Sequence, residues 1–210
     1  MREAATHDEV YILGADVSIG SKGSVISQDT NAHWLKSFVS INLNITQAFY
    51  SHPKILVTAL NGPVIGLSAS PISFSDFIYC VPSTFLLTPF SSLGLVAEGG
   101  ASRAFVTRMG ISKANEALIM SKRITAQELL GIGFVNKIFE LVLAEVKDRL
   151  GNHLIGDSLT KIKALIRKPE RDVLDAQGVA EVFGGLERFA AGIPQEQFRK
   201  IASGEKRQKL

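Results

Sequence analysis

The chain has 210 residues, 46% of them hydrophobic, and carries a net charge of +3 with an isoelectric point near 9.0. This length suits one globular domain, or a domain with a helical appendage, able to bury a core without covalent staples. The single cysteine, Cys80, excludes an internal disulfide framework and a cysteine-based zinc site, and no apolar run is long enough to span a membrane.

The start, Met1 to Glu9, is polar and acidic, unlike a secretory signal. Val10-Tyr11-Ile12-Leu13 is a short apolar run stopped by Gly14, a strand end or buried loop. From Ser18 to Asn31 the chain is rich in Ser, Gly and Asp and reads as a mobile loop. Trp34, Phe38, Ile41, Ile45 and Phe49 recur at helical spacing and predict one apolar face of a helix running to about Tyr50, ended by His52-Pro53. Ile55–Leu60 reads as a buried strand and Asn61-Gly62-Pro63 as a turn. Gly66-Leu67-Ser68 then opens a helix with Pro71 in its first turn, where proline is tolerated. Asp76–Tyr79 and Thr84–Leu87 read as two more strands, and Cys80, in an apolar run, as a buried, inert thiol. Beyond Gly100 the pattern is helical: 102–109, 113–121, 126–131, 140–150, 159–167 and 173–191. No repeat or low-complexity segment interrupts it.

Three places have chemical potential. A strand that turns through Gly66-Leu67-Ser68 into a helix leaves backbone N–H groups pointing one way. Such a turn can hold an oxyanion or phosphate, or be an ordinary connection. Gly14-Ala15-Asp16 is a second glycine loop, in which Asp16 can equally cap a turn. Glu98 stands in the apolar stretch Leu93–Gly100. A carboxyl group there has a raised pKa and can carry protons, unless it merely satisfies a helix N-terminus. His7, His33, His52 and His153 are scattered without metal-ligand spacing, so no metal is expected. Gly99-Gly100 is followed by no Gly-Lys-Ser/Thr, and Ser68 lacks the glycine of a nucleophile elbow.

Taken in order, Gly14-Ala15-Asp16, Leu60–Ala69, Ser75–Tyr79, Leu93–Gly100 and Ser121–Glu128 resemble the enoyl-CoA hydratase/isomerase (crotonase) family, and most closely its fungal peroxisomal Δ3,Δ2-enoyl-CoA isomerases. The resemblance runs from about Val10 to about Ile138. It implies an α/β chain with the crotonase-like ββα superhelix (the ClpP/crotonase fold), an α/β core over residues 1–138 and a helical trimerisation region with targeting tail over 139–210. It implies an acyl-CoA thioester as substrate, coenzyme A being part of the substrate and no separate cofactor, and a homotrimer or hexamer as the assembly. The amides of Ala15 and Leu67 would form the oxyanion hole. Leu13, Gly14, Ala15, Asp16, Val17, Gly66, Leu67 and Phe90 would line the acyl-CoA site. Hydratases of the family hold water with two glutamates, at the positions occupied here by Ser70 and Phe90. Glu98 falls where the isomerases carry their single glutamate, so the resemblance implies a double-bond isomerase with Glu98 as base and Phe85, Phe90 and Leu95 keeping the site apolar. A hydratase-like tailoring enzyme and an inactive paralogue are the alternatives, the second because only Met1 to Leu13 stand where family members have their first strands.

The tail is basic, with Arg199, Lys200, Lys206, Arg207 and Lys209. No aromatic interleaving or nucleic-acid motif accompanies it, so no nucleic-acid partner is expected. Gln208-Lys209-Leu210 is similar to a peroxisomal C-terminal address read by an import receptor, although Gln208 departs from the small first residue of that signal. Peroxisomal location is expected, with the cytosol as the alternative.

Overall fold

The computed structural model of the chain describes residues 30–139, 142–151 and 153–207. Helix α1 (Thr30–Trp34) passes through a π-helical stretch (Leu35–Val39) into α2 (Ser40–Tyr50). The residues expected in a loop at Thr30 and Asn31 are thus already helical, and the remainder of that expected loop lies outside the described residues. A π turn holds more residues than an α turn and rotates the face that follows it. This corrects the expected stripe. Trp34 and Phe38 do pack inward, but Ile41 and Ile45 are 52% and 40% exposed, and α2 buries Asn42, Thr46 and Tyr50 instead.

The chain then repeats one step: a strand in a first sheet, a strand in a second sheet, a helix. β1 (Val57–Leu60) and β2 (Val64–Ile65) lead into a 3-10 turn (Gly66–Ser68) and the short α3 (Ala69–Ile72). β3 (Phe77–Cys80) and β4 (Phe85–Leu87) lead, through a loop with a 3-10 turn at Ser91–Leu93, into the long α4 (Ala101–Leu118). β5 (Ile124–Thr125), α5 (Ala126–Gly131) and β6 (Lys137–Ile138) complete the layers. The first sheet has the order β1-β3-β6, all parallel, with Val57 opposite Phe77 and Tyr79 opposite Lys137. The second has the order β2-β4-β5, with β5 antiparallel.

Parallel strands covered on both faces read as continuous apolar runs. In β3, Ile78, Tyr79 and Cys80 are accordingly all buried, Cys80 completely. Between the layers sit Val64, Ile78, Leu86, Phe90, Phe105, Ile124, Leu129 and Phe134. α5 starts on a reciprocal cap, in which the Thr125 side chain accepts from the Glu128 N–H and the Glu128 carboxylate from the Thr125 N–H. The two helices expected at 102–109 and 113–121 form one span, broken at Gly110 (φ 76°, ψ 158°).

The C-terminal helices are α6 (Val142–Arg149), α7 (Gly156–Arg167), α8 (Arg171–Ala190) and α9 (Ile193–Ala202). α8 lies along α1 and α2. The Trp34 ring stacks on Phe189 at 4.4 Å, and Phe38 reaches so close to Gly185 that a Cβ there would stand 2.6 Å from its ring. α7 is tied to the first sheet by Lys163 and Arg167, which meet Asp76 at 2.7 and 3.2 Å. Among the described residues no helix is long and apolar enough to cross a membrane.

Candidate active site

Glu98 closes the loop between β4 and α4, and the two glycines behind it set its place. Gly99 (φ +67°) and Gly100 (φ +79°) both lie in the left-handed region, which side chains other than glycine rarely adopt. There is also no room for a side chain. A Cβ on Gly99 would stand 2.8 Å from Ser70 Cβ and 2.9 Å from Leu67 Cδ1, and one on Gly100 2.7 Å from the Phe74 ring. These close approaches bring the Glu98 loop against the 3-10 turn that carries Leu67. That turn starts at Gly66 and opens α3, so its first N–H groups lack partners within the helix.

Glu98 is 6% exposed. Asn42 Nδ2 of α2 donates to its Oε2 at 3.2 Å, and Asn42 Oδ1 accepts the Gly99 N–H at 3.1 Å. Asn42 therefore fixes both the carboxyl group and the loop under it. Thr46, one turn along α2, approaches the same Asn42 oxygen at 3.5 Å. This pairing explains why α2 buries polar residues. The Glu98 pKa is raised to about 8. Burial is the main cause and the charge of Glu181 adds to it, while the Asn42 hydrogen bond opposes both.

The sequence leaves open whether Glu98 is a proton carrier or a helix-terminal carboxylate. The second role belongs to another residue. Glu181, reaching over from α8, accepts from the N–H groups of Gly100 (2.6 Å) and Ser102 (2.8 Å) and from Ser102 Oγ (2.5 Å). The Glu98 carboxyl group takes no part in capping α4, to which Glu98 gives only its backbone carbonyl, accepting the Ala101 N–H at 3.2 Å.

The turn that holds Gly66 and Leu67 and the loop that holds Glu98 thus meet through Gly99. Phe90 is 3% exposed and lies in the core, eight residues before Glu98. With Leu95, Val96 and Ala97 it lines a cavity of about 380 Å³, whose other wall is α4 from Ser102 to Leu118. Phe85 is elsewhere: it faces Arg123, whose guanidinium lies 3.9 Å from the ring centre, and it does not line this cavity. Ser70, where hydratases have a glutamate, is completely buried, and its hydroxyl has no hydrogen-bond partner among the described residues. Leu13, Gly14, Ala15, Asp16 and Val17 lie outside the described residues, as does Gln208-Lys209-Leu210. Asn42 and Glu181 were missed by sequence reasoning. Each is a polar residue on a helix, 56 and 83 positions from Glu98, and no local pattern marks either as buried.

Residues 5–208 match the family model described as Enoyl-CoA hydratase/isomerase. The Δ(3,5)-Δ(2,4)-dienoyl-CoA isomerase of Pyricularia oryzae is 60% identical over 242 aligned residues, spanning 100% of this chain and 86% of the relative. The 3,2-trans-enoyl-CoA isomerase of Saccharomyces cerevisiae is 30% identical over 95% of this chain and 77% of its own length. Both kinds of double-bond isomerase are therefore among the relatives, the dienoyl enzyme at the higher identity. The crystal structure of an enoyl-CoA hydratase/isomerase from Pseudoalteromonas atlantica superposes with a TM-score of 0.71 at 25% identity, over 79% of this chain and 68% of that one.

Proposed function

The chain belongs to the enoyl-CoA hydratase/isomerase family, and on that premise we propose that it moves a carbon–carbon double bond of an acyl-CoA thioester from the 3 to the trans-2 position, in fatty acid β-oxidation, with Glu98 carrying the proton. The observation that carries this reading is a buried carboxyl group, with pKa about 8, in the loop that Gly99 packs against the turn carrying Leu67.

The chemistry follows from the residues. Taking a proton from C2 of a 3-enoyl thioester puts negative charge on the thioester oxygen. The Leu67 amide, and by family resemblance that of Ala15, would receive this oxygen, each contributing on the order of 3 kcal/mol. Glu98, now protonated, returns the proton to C4. C2 and C4 are separated by one carbon, so one carboxyl group serves both. A raised pKa makes Glu98 a stronger base toward a weakly acidic C–H bond. Water addition lacks support here, because Ser70 and Phe90 replace the two water-holding glutamates. The apolar cavity beside Phe90 is lined by Ala97, next to Glu98, but not by Glu98 or Leu67, and so suits the part of an acyl chain beyond the reacting carbons.

A 3,5-dienoyl thioester is the second substrate reading, favoured by the name of the 60% identical relative. Both readings begin with removal of the C2 proton. They part where the proton returns, which for the diene is C6. We further propose a homotrimeric or hexameric assembly, supported by the exposed Ile162, Leu165 and Ile166 of α7 and Val179 and Phe183 of α8. Peroxisomal import through Gln208-Lys209-Leu210 completes the proposal; a reporter carrying the last dozen residues, with and without Leu210, tests it.

The deciding experiment presents 3-enoyl-CoA and 3,5-dienoyl-CoA to the chain and to its Glu98→Gln variant. The amide keeps the shape of the site but cannot accept a proton. Loss should reach or exceed roughly 10²–10⁴-fold, with acyl-CoA binding nearly intact. Retention of more than about a tenth of the rate, far short of that range, would mean that another group is the base.

A further inference from the structure

Glu181 has no part in the reaction as described so far, yet it is a carboxylate only 6% exposed on a helix 83 residues away from the base. Its two oxygens take three donors, all from the first turn of α4: the Gly100 and Ser102 N–H groups and the Ser102 hydroxyl. Gln177, one turn earlier on α8, donates to the same hydroxyl at 2.8 Å. Burial raises the Glu181 pKa and the hydrogen bonds from Ser102 and Gly100 oppose the rise; three donors and no acceptor suit the ionised form, since a protonated carboxyl group would need an acceptor for its own hydrogen. Gly100 is joined to Glu98 through Gly99 alone, and Gly99 is the residue that touches Leu67 and Ser70.

We propose that Glu181 is a positioning residue for the catalytic base: from α8 its carboxylate clamps the start of α4, and so fixes both the place of the Glu98 loop and the negative field in which Glu98 works. The proposal rests on the reading of Glu98 as base. The surroundings give Glu181 little competition. α2 and α3 bring no charged side chain, their residues being Ser40–Tyr50 and Ala69–Ile72, and the hydroxyl of Tyr50 is engaged with Asp175 of α8. Arg103 of α4 is turned to Glu170, and Arg188 of α8 to the Gly94 carbonyl. Among the described residues, Glu181 is the charge that acts on Glu98, raising its pKa in addition to the effect of burial. Helix α8 thereby strengthens a base that belongs to the first half of the chain.

Two variants separate the clamp from the field. Glu181→Gln keeps length and one acceptor oxygen but removes the charge. Glu181→Asp keeps the charge but withdraws it from Gly100 and Ser102. Carbon-13 NMR of glutamate carboxyl groups, with Glu98 assigned by its loss in Glu98→Gln, reads the base directly and needs no turnover. In the unsubstituted chain Glu98 should titrate near pH 8. In Glu181→Gln the midpoint should fall by on the order of one pH unit. The acid limb of kcat/KM should follow, and the high-pH plateau should drop roughly three- to tenfold because the base is weaker. Glu181→Asp should lower kcat while leaving the midpoint near its original value. A merely structural role would lower the plateau in both variants and leave the Glu98 midpoint in place. That result overturns the proposal, as does a Glu181→Gln chain indistinguishable from the original. If Glu181→Gln does not fold, Glu181→Met, which fills similar space without the charge, takes its place: a fallen Glu98 midpoint supports the proposal and an unmoved one overturns it. If the unsubstituted chain moves no double bond, the functional reading fails, while the NMR midpoints still report whether Glu181 governs Glu98.

Discussion

Glu98 must be ionised before it can take a proton, and this fixes how the reaction depends on pH. Its pKa is raised to about 8, first by burial and then by Glu181. At pH 6 only a small fraction of the free enzyme is competent, so kcat/KM should climb with pH and level off above about 8. A profile already flat at pH 6 would contradict a buried carboxylate base. Among the described residues, Asn42 is the hydrogen-bonding group that opposes the rise. Asn42→Ala should therefore move the acid limb to higher pH. It should also slow the reaction about tenfold or more, because the Gly99 N–H loses its buried acceptor and the loop its anchor. Movement of the limb in the opposite direction would show that Asn42 does not stabilise the charged form. Of these residues, Glu98 was legible in the sequence because a family motif surrounds it. Asn42 was not, because its neighbours Ile41 and Ile45 predict an apolar face that the π turn at Leu35–Val39 rotates toward solvent.

Elements whose sequence repeats over many residues were legible, and those fixed by distant partners were not. The strand at Val57–Leu60, the pair at Phe77–Cys80 and Phe85–Leu87, and the helices from α4 to α8 lie close to where apolar periodicity and turn residues put them. β2, β5 and β6 have two residues each, too few for any period to show. Nor does periodicity reveal that α7 is anchored to the first sheet. Lys163, 6% exposed, donates to Asp76 and to the Lys54 carbonyl at 2.6 Å, and Asp76 also accepts the Leu56 N–H at 2.8 Å. Burial pushes the Asp76 pKa up, but Lys163, the Leu56 N–H and Arg167 together outweigh it and hold it below its ordinary value. The pair joins three chain segments, so cutting it should cost more than an exposed ion pair does. Lys163→Met should destabilise the fold by about 3 kcal/mol, because it leaves a buried carboxylate with Arg167 as its remaining cation. Asp76→Asn added to it should recover part of the loss. Urea denaturation of the single and double variants measures both, and a loss under about 1 kcal/mol, the range of exposed pairs, would show that the tie is weak.

At the scale of the whole molecule, the site lies where the first half of the chain meets its last long helix: Asn42 of α2 holds the Glu98 carboxyl group, Leu67 of the 3-10 turn packs on Gly99, and Glu181 of α8 holds Gly100. Keeping that group in a dry place works against folding, and the pH dependence gives the sign. The folded-state pKa of Glu98, about 8, is above its ordinary value of 4.5. Between these values the folded chain holds a proton that the unfolded chain has released. Stability from this group is therefore fully present below pH 4.5 and is lost as pH rises through about 8. Glu98→Gln has no such proton to lose. Below pH 4.5 the two chains should be nearly equal in stability, and the variant should gain on the original steadily up to pH 8, by on the order of a few kcal/mol. Other titrations, that of Asp76 included, are common to both chains and cancel in the difference. The coupling to Glu181 is already contained in the Glu98 pKa, which it helps to raise, and adds nothing further to the difference. Denaturation midpoints of both chains at pH 5, 6.5 and 8 test this. Parallel stability curves across that range would mean that Glu98 is hydrated in the folded chain, and the raised pKa and the base strength inferred from it would fall together.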